Sequence, residues 1–277
     1  MPTLTMGVDL AAQPEKTAVC ILRWGDGPPV PLALCRGRAE DGTELHTKWL
    51  STTGYGIRGD YGARITKIGI DAPFGWPQPF LDAVAAYRIG PSWPTGLDNP
   101  LGACRLRETD RAVHRRSGKW PLSVSSDKIA VPAMRCATML TDIAQHAGAD
   151  AVSRDGTKLC CEVYPDPALR RWTDHAPEGL ARRESYKGNA AAYKRTSLLA
   201  ALRAQLPFED PDRLLERVGR EDDYLDALIC ALVARAVELG LTFGPETQPE
   251  LERAQVEGWI HLPSDSVELL AAEPVSR

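Results

Sequence analysis

TLTMGVD, residues 3–9, is a run of apolar and β-favouring residues that ends on an aspartate, and ITKIGID, residues 65–71, repeats the arrangement. Both read as short buried strands. Aspartate is poor strand material, so its place at each strand end needs another reason. In sheets of the α/β class, residues at strand ends facing the helix-bearing loops are where ligands collect. Two carboxylates on adjacent strands repel each other unless a proton or a cation intervenes. A divalent cation removes that cost, and oxygen-only ligands select Mg²⁺ or Mn²⁺ over zinc.

Working outward, residues 16–24 and 30–36 are β-rich runs separated by Gly25-Asp26-Gly27-Pro28-Pro29, a turn short enough to make them antiparallel neighbours. Residues 41–51 fit a helix with one apolar face. Ala72-Pro-Phe-Gly-Trp-Pro77 cannot continue the strand before it. A short helix near 79–88 leads into a Pro/Gly-rich and then basic stretch, and helix resumes at 132–147 with Pro132 in its first turn. Residues 158–164 read as a strand stopped by Pro165 and Pro167. Helices are expected at 167–173, 192–204, 210–217 and 222–239, with Gly240 as a C-terminal cap. GWIHL, residues 258–262, is one further strand candidate. The order predicts an α/β protein: a mixed five-stranded sheet, three strands antiparallel and then two parallel, flanked by helices. A single domain over 1–265 with a helical and loop insert at about 78–130 is the simplest organisation, with a polar tail over 266–277 that need not order.

The helix from 222 supplies further carboxylates. In REDDYLDALICALVA, residues 220–234, Asp223 and Asp226 are three apart and share a face. The rest of the segment is apolar, so the helix is buried, and a carboxylate at 226 is costly without a partner. Helix capping through the dipole is the competing role for Asp222 and Asp223. Glu162, centred in its strand, either faces solvent or joins the site as a ligand or neighbouring acid. His114 is a candidate proton donor or a solvated helix histidine.

Composition bounds the rest. A chain of 277 residues, 43% hydrophobic and 25% charged, is an ordinary globular protein with room for a full core. No apolar run suits a membrane span, and the N-terminus begins directly on a strand without a basic-then-apolar signal segment, so a cytoplasmic location is expected. Seven cysteines form no C-x-x-C pair and read as small core residues in a reducing compartment. A net charge of −4 argues against non-specific coating of nucleic acid, although a local basic groove remains compatible with it. Such a groove has a candidate: Arg105, Arg107, Arg111, Arg115, Arg116 and Lys119 crowd one segment, and Arg107, Arg111 and Arg115 fall near one helical face with His114. They form either a phosphate-binding face, with Trp93 and Trp120 as stacking platforms, or a solvated salt-bridged helix. Lys187, in Tyr186-Lys187-Gly188, and the pair Lys194-Arg195 are set where they can also meet phosphate.

Together GVDLA, IGIDAPFGWP, RETDRAVHRR with WPLSVSSDKIAVPAMR, EVYPDPALRRW, YKG and REDDYLDALICALVAR resemble a family of predicted RNase H-like nucleases once filed as a domain of unknown function. The likeness runs from about residue 5 to 262. The helix pattern Asp223-Tyr-Leu-Asp226 also resembles that of Holliday-junction resolvases, where Asp71 stands in place of a glutamate with a longer reach. The resemblance implies an RNase H-like fold with Asp9, Asp71, Asp223 and Asp226 as metal ligands. It implies two-metal hydrolysis of DNA or RNA phosphodiesters, with Asp9 bridging two Mg²⁺ or Mn²⁺ ions, while Glu162 stays a fifth candidate on its strand position alone. A nucleic-acid partner follows, and a homodimer is compatible with it. Two rival functions are an ATP-dependent phosphotransferase of the same superfold and a non-catalytic module binding nucleic acid or a partner protein. Against the phosphotransferase, Asp9 is followed by Leu-Ala-Ala-Gln-Pro and not by a Gly/Thr-rich phosphate-cradling turn.

Overall fold

The strands whose ends carry the aspartates lie side by side. In a computed structural model, residues 2–39, 42–44, 64–93, 99–173 and 185–272 are described. β1 (Thr3–Asp9) pairs antiparallel with β2 (Ala18–Trp24), which pairs antiparallel with β3 (Val30–Arg36). On its other edge β1 pairs parallel with β4 (Arg64–Asp71), in a register that sets Gly7 against Gly69 and Asp9 against Asp71. With β5 (Cys160–Val163), β6 (Thr242–Phe243) and β7 (Ile260–Pro263) the sheet has seven strands, in the order β3-β2-β1-β4-β5-β7-β6.

The mixed α/β sheet flanked by helices is as the sequence suggests, but it is two strands wider than five. β7 is the strand candidate at 258–262. β6 is two residues long, too short for alternation to register. The helix expected at 41–51 lies outside the described residues except at 42–44, where Glu44 forms an antiparallel bridge with Arg38. No helix among the described residues is long and apolar enough to cross a membrane. Six of the seven cysteines are buried.

The chain divides into two compact units. The first comprises Met1–Asp71, Val163–Phe243 and His261–Arg277, and includes α5 (Pro165–Thr173), α6 (Ala192–Gln205) and α7 (Asp222–Leu239). The second comprises Ala72–Glu162 and Gly244–Ile260, so the stretch at 78–130, expected as an insert, falls wholly within it. It holds α1 (Gln78–Ile89), α2 (Pro100–Arg105), α3 (Glu108–Ser117), α4 (Ala130–Ala147) and α8 (Gln248–Glu257), and its buried Trp259 packs with Ala112 and Ala254. Residues 266–272 are tied down in the first unit. Val267 and Leu270 are buried, and the guanidinium of Arg235 donates to the carbonyls of Leu270 and Ala272.

α7 is the central helix of the first unit. Leu225 to Ala234 are fully buried, and Gly240, at φ 73°, ends the helix in the left-handed conformation that favours glycine. The helix backbone lies directly against β1 and β4. A methyl group at Gly7 would collide with the backbone of Ala227 and Ala231, and one at Gly69 with the carbonyl of Cys230. Strand glycines are placed where another backbone approaches closely, and here the register makes them a pair. Gly7→Ala should therefore cost about 3 kcal/mol, the upper end for overpacking a filled core. Gly25→Ala, where an added methyl meets nothing within 4 Å, should stay within about 0.5 kcal/mol of wild type. Urea unfolding of the two variants checks the contrast.

Candidate metal centre

Side chains two residues apart on a strand leave the same face, so Asp9 and Asp71 project from the face on which Gly7 and Gly69 receive α7. Asp226 precedes Ala227 at the start of that contact and is fully buried. The close seating of the helix therefore brings a third carboxylate to the two strand ends. Asp9, Asp71 and Asp226 each offer an oxygen within 4.8 Å of the others. The arrangement can hold a cation.

A loop beside them completes the environment. The Tyr186 hydroxyl donates to Oδ1 of Asp226 at 2.6 Å, and the Lys187 ammonium donates to Oδ2 of the same carboxylate. Lys187 Nζ also lies 3.5 Å from Oδ2 of Asp222, whose Oδ1 accepts the Gly188 N–H. Arg195 holds the loop in place. It is fully buried, and its guanidinium donates to the carbonyls of Tyr186, Gly188, Val218, Gly219 and Arg220. One arginine thus ties the 186–188 loop to the chain entering α7.

Burial, then Asp226 and Asp71, push the Asp9 carboxyl well above the usual range. Burial also raises Asp226, although Lys187 and the Tyr186 hydroxyl pull the other way. For Lys187 burial disfavours the charge, but Asp226, Asp9 and Asp71 outweigh it and the ammonium is stabilised. Burial and Asp226 raise the Tyr186 phenol, which stays a donor. Because the folded-state pKa of Asp9 lies above that of the unfolded chain, the folded protein holds the extra proton at low pH. The stability this gives is lost as pH rises through the folded value. Metal-free Asp9→Asn should accordingly match wild type near pH 4 and melt above it at pH 7 to 8, by at least about 2 °C, what roughly 1 kcal/mol is worth in a chain of this size. Thermal melts in chelator across that range measure it.

The other acids named from the sequence lie apart from this triad. Asp223 faces Arg36 at 3.1 Å, an arginine that also meets Glu221. Asp222 and Asp223 occupy the first turn of α7, where the dipole favours them, and no side chain caps its N-terminus. Glu162 belongs to the second unit and is 2% exposed. It accepts two hydrogen bonds from Arg107, at 2.7 and 2.9 Å, and one from the Phe74 N–H at 2.9 Å. It is the acid of a buried ion pair. Glu162→Gln weakens its bonds to Arg107 but leaves that guanidinium paired with Asp110 and bonded to the Glu257 carbonyl, so it should lose about 1–3 kcal/mol of stability in a urea titration.

The basic segment turns out to be largely a salt-bridged surface. Arg107 is 1% exposed, locked to Asp110 and Glu162, and inaccessible to a phosphate. Burial opposes its charge, but those two carboxylates hold the guanidinium above its ordinary pKa. Arg111 lies 3.7 Å from Glu108 and donates to the Gly102 carbonyl, and Arg115 bridges Glu108 and Glu250. Arg116 pairs with Glu246. His114 stacks on Trp120 with ring centroids 3.9 Å apart, and both Trp120 and Trp93 are exposed. Lys187 faces carboxylates, and Arg195 is a scaffold. Nothing local in the sequence announces the Arg195 role, since its partners are carbonyls distant in the chain. Tyr186 has the better signal, a tyrosine beside Lys187 and a turn glycine at φ 83°.

The model of the family described as "Protein of unknown function (DUF429)" matches residues 7–250 and so takes in Asp9, Asp71, Lys187 and Asp226. No curated protein and no solved structure matches the chain.

Proposed function

The chain belongs to the DUF429 family, and we propose that it is a metal-dependent phosphodiesterase of RNase H-like fold that acts on nucleic acid. The observation that carries this reading is the meeting of Asp9, Asp71 and Asp226 within 4.8 Å at the ends of paired parallel strands and the start of a buried helix. The order β3-β2-β1-β4-β5, with β1 antiparallel to β2 and parallel to β4, supports the fold.

The donor set fits a hard divalent cation. It is all oxygen, Asp226 is fully buried with Asp9 and Asp71 half-buried beside it, and it concentrates more negative charge than Lys187 alone neutralises. Asp9, Asp71 and Asp226 would hold Mg²⁺ or Mn²⁺, with Asp223 available to a second ion only on leaving Arg36. Such a cation supplies Lewis acidity toward a phosphoryl oxygen and toward an attacking water. The remaining work falls to the chain. Tyr186 fixes the orientation of Asp226, burial favours cation binding over solvation of the carboxylates, and the Lys187 ammonium adds positive charge beside the reacting phosphate.

Purified protein is expected to cleave at least one of branched DNA, single-stranded DNA or RNA–DNA hybrid with Mn²⁺, and to lose that cleavage in EDTA. Asp9→Asn should reduce it to background. Equal cleavage by both proteins, or none by wild type on any substrate, would overturn the reading, while binding that survives both EDTA and the substitution would point to the non-catalytic module.

A further inference from the structure

Both oxygens of Asp226 are engaged. The Tyr186 hydroxyl takes one, and the Lys187 ammonium the other. Tyr186 is buried, with its hydroxyl aimed by the ring, whereas the Lys187 side chain is 48% exposed and flexible. A cation entering between Asp9, Asp71 and Asp226 is repelled by the ammonium seated on the same carboxylate, and of the two donors only the lysine has a second carboxylate to move to. Asp222 stands four residues earlier on the same helix, one turn towards solvent, with Oδ2 3.5 Å from the ammonium. The backbone on either side of the lysine is pinned, because Arg195 binds the carbonyls of Tyr186 and Gly188 and the Gly188 N–H donates to Asp222. A change of partner therefore needs only side-chain rotation.

We propose that Lys187 is a resident counter-ion of the metal centre, seated on Asp226 in the metal-free protein and transferred to Asp222 when a divalent cation binds. The inference rests on the reading that the triad holds such a cation. It explains how three carboxylates remain together without metal, and it carries a cost, since the cation must break a charge-assisted hydrogen bond to enter. In the loaded state the ammonium stays at the mouth of the centre, one helical turn from its first seat.

Titration calorimetry with MnCl₂ on the metal-free full chain tests this. Lys187→Met should bind Mn²⁺ about tenfold more tightly than wild type, the change expected when a competing charged hydrogen bond is removed. Asp222→Asn, which keeps an acceptor for Gly188 but removes the charge of the second seat, should bind more weakly than wild type. The double variant should bind like Lys187→Met alone, because without the ammonium the second seat has no use. In chelator Lys187→Met should melt below wild type, and saturating Mn²⁺ should raise its melting temperature by more. Equal or weaker Mn²⁺ binding by Lys187→Met overturns the exchange and leaves the metal centre standing. An Asp222→Asn effect that persists in the double variant does the same. If Lys187→Met does not fold, wild-type affinity in Asp222→Asn alone overturns the exchange. Absence of Mn²⁺ binding by every folded protein in the set overturns the metal centre together with it.

Discussion

The backbone of α7 rests on the backbone of two strands, and the candidate centre depends on that contact. Gly7 and Gly69 are partners in the β1–β4 register, and neither has room for a methyl group beneath the helix. With larger residues there the helix would ride further from the sheet, and Asp226 would withdraw from Asp9 and Asp71. The hydrophobic surface of α7 drives the helix down, and the glycines determine how far it goes. The carboxylates are held together against their own repulsion by packing that surrounds them, and their environment raises Asp9 and Asp226 while keeping Lys187 charged.

The second unit has an electrostatic organisation of a different kind. Arg107 reaches Asp110 and Glu162 in one buried cluster and also donates to the Glu257 carbonyl. Its one guanidinium bonds directly to both carboxylates and to a carbonyl, so the cluster behaves as a structural element. In the first unit the carboxylates outnumber the cation that faces them. There Asp9 and Asp71 are only half-buried and converge with Asp226, which suits recruiting a cation, whereas the carboxylates of the second unit are closed over by the guanidinium between them.

Much of this was legible in the sequence, and the limits have physical causes. Asp9, Asp71 and Asp226 stood out because each sits where a carboxylate is expensive, in a strand or inside an apolar helix stretch. The first four strands and the helices near 79–88, 132–147, 167–173, 192–204 and 222–239 followed from periodicity and proline stops. The helices at 100–105 and 248–257 did not, and the helix expected at 210–217 is a 3-10 turn at Leu214–Gly219. Asp223 shares its helix face with Asp226, but spacing along one helix does not reveal that Arg36 waits on β3. The two readings of the arginine-rich segment could not be separated for the same reason. Its partners Glu162, Glu246 and Glu250 lie far along the chain, so a row of positive charge looked like a surface for phosphate when much of it was already paired. Alternation could not settle Glu162, because a central strand buries both faces. The glycines of GVD and GID carried a readable sign of close backbone approach, but a sign that names no partner.

The centre is drawn from the first strand, the fourth strand and a helix near the C-terminal end, and it exists only when all three are in register. A parallel pair such as β1 and β4 cannot form by local hairpin closure, and the helix that completes the triad is synthesised last. The centre therefore depends on contacts between segments far apart in the chain. A ligand that recognises all three binds the finished protein and not its precursors, so that it would draw the folding equilibrium to completion by mass action.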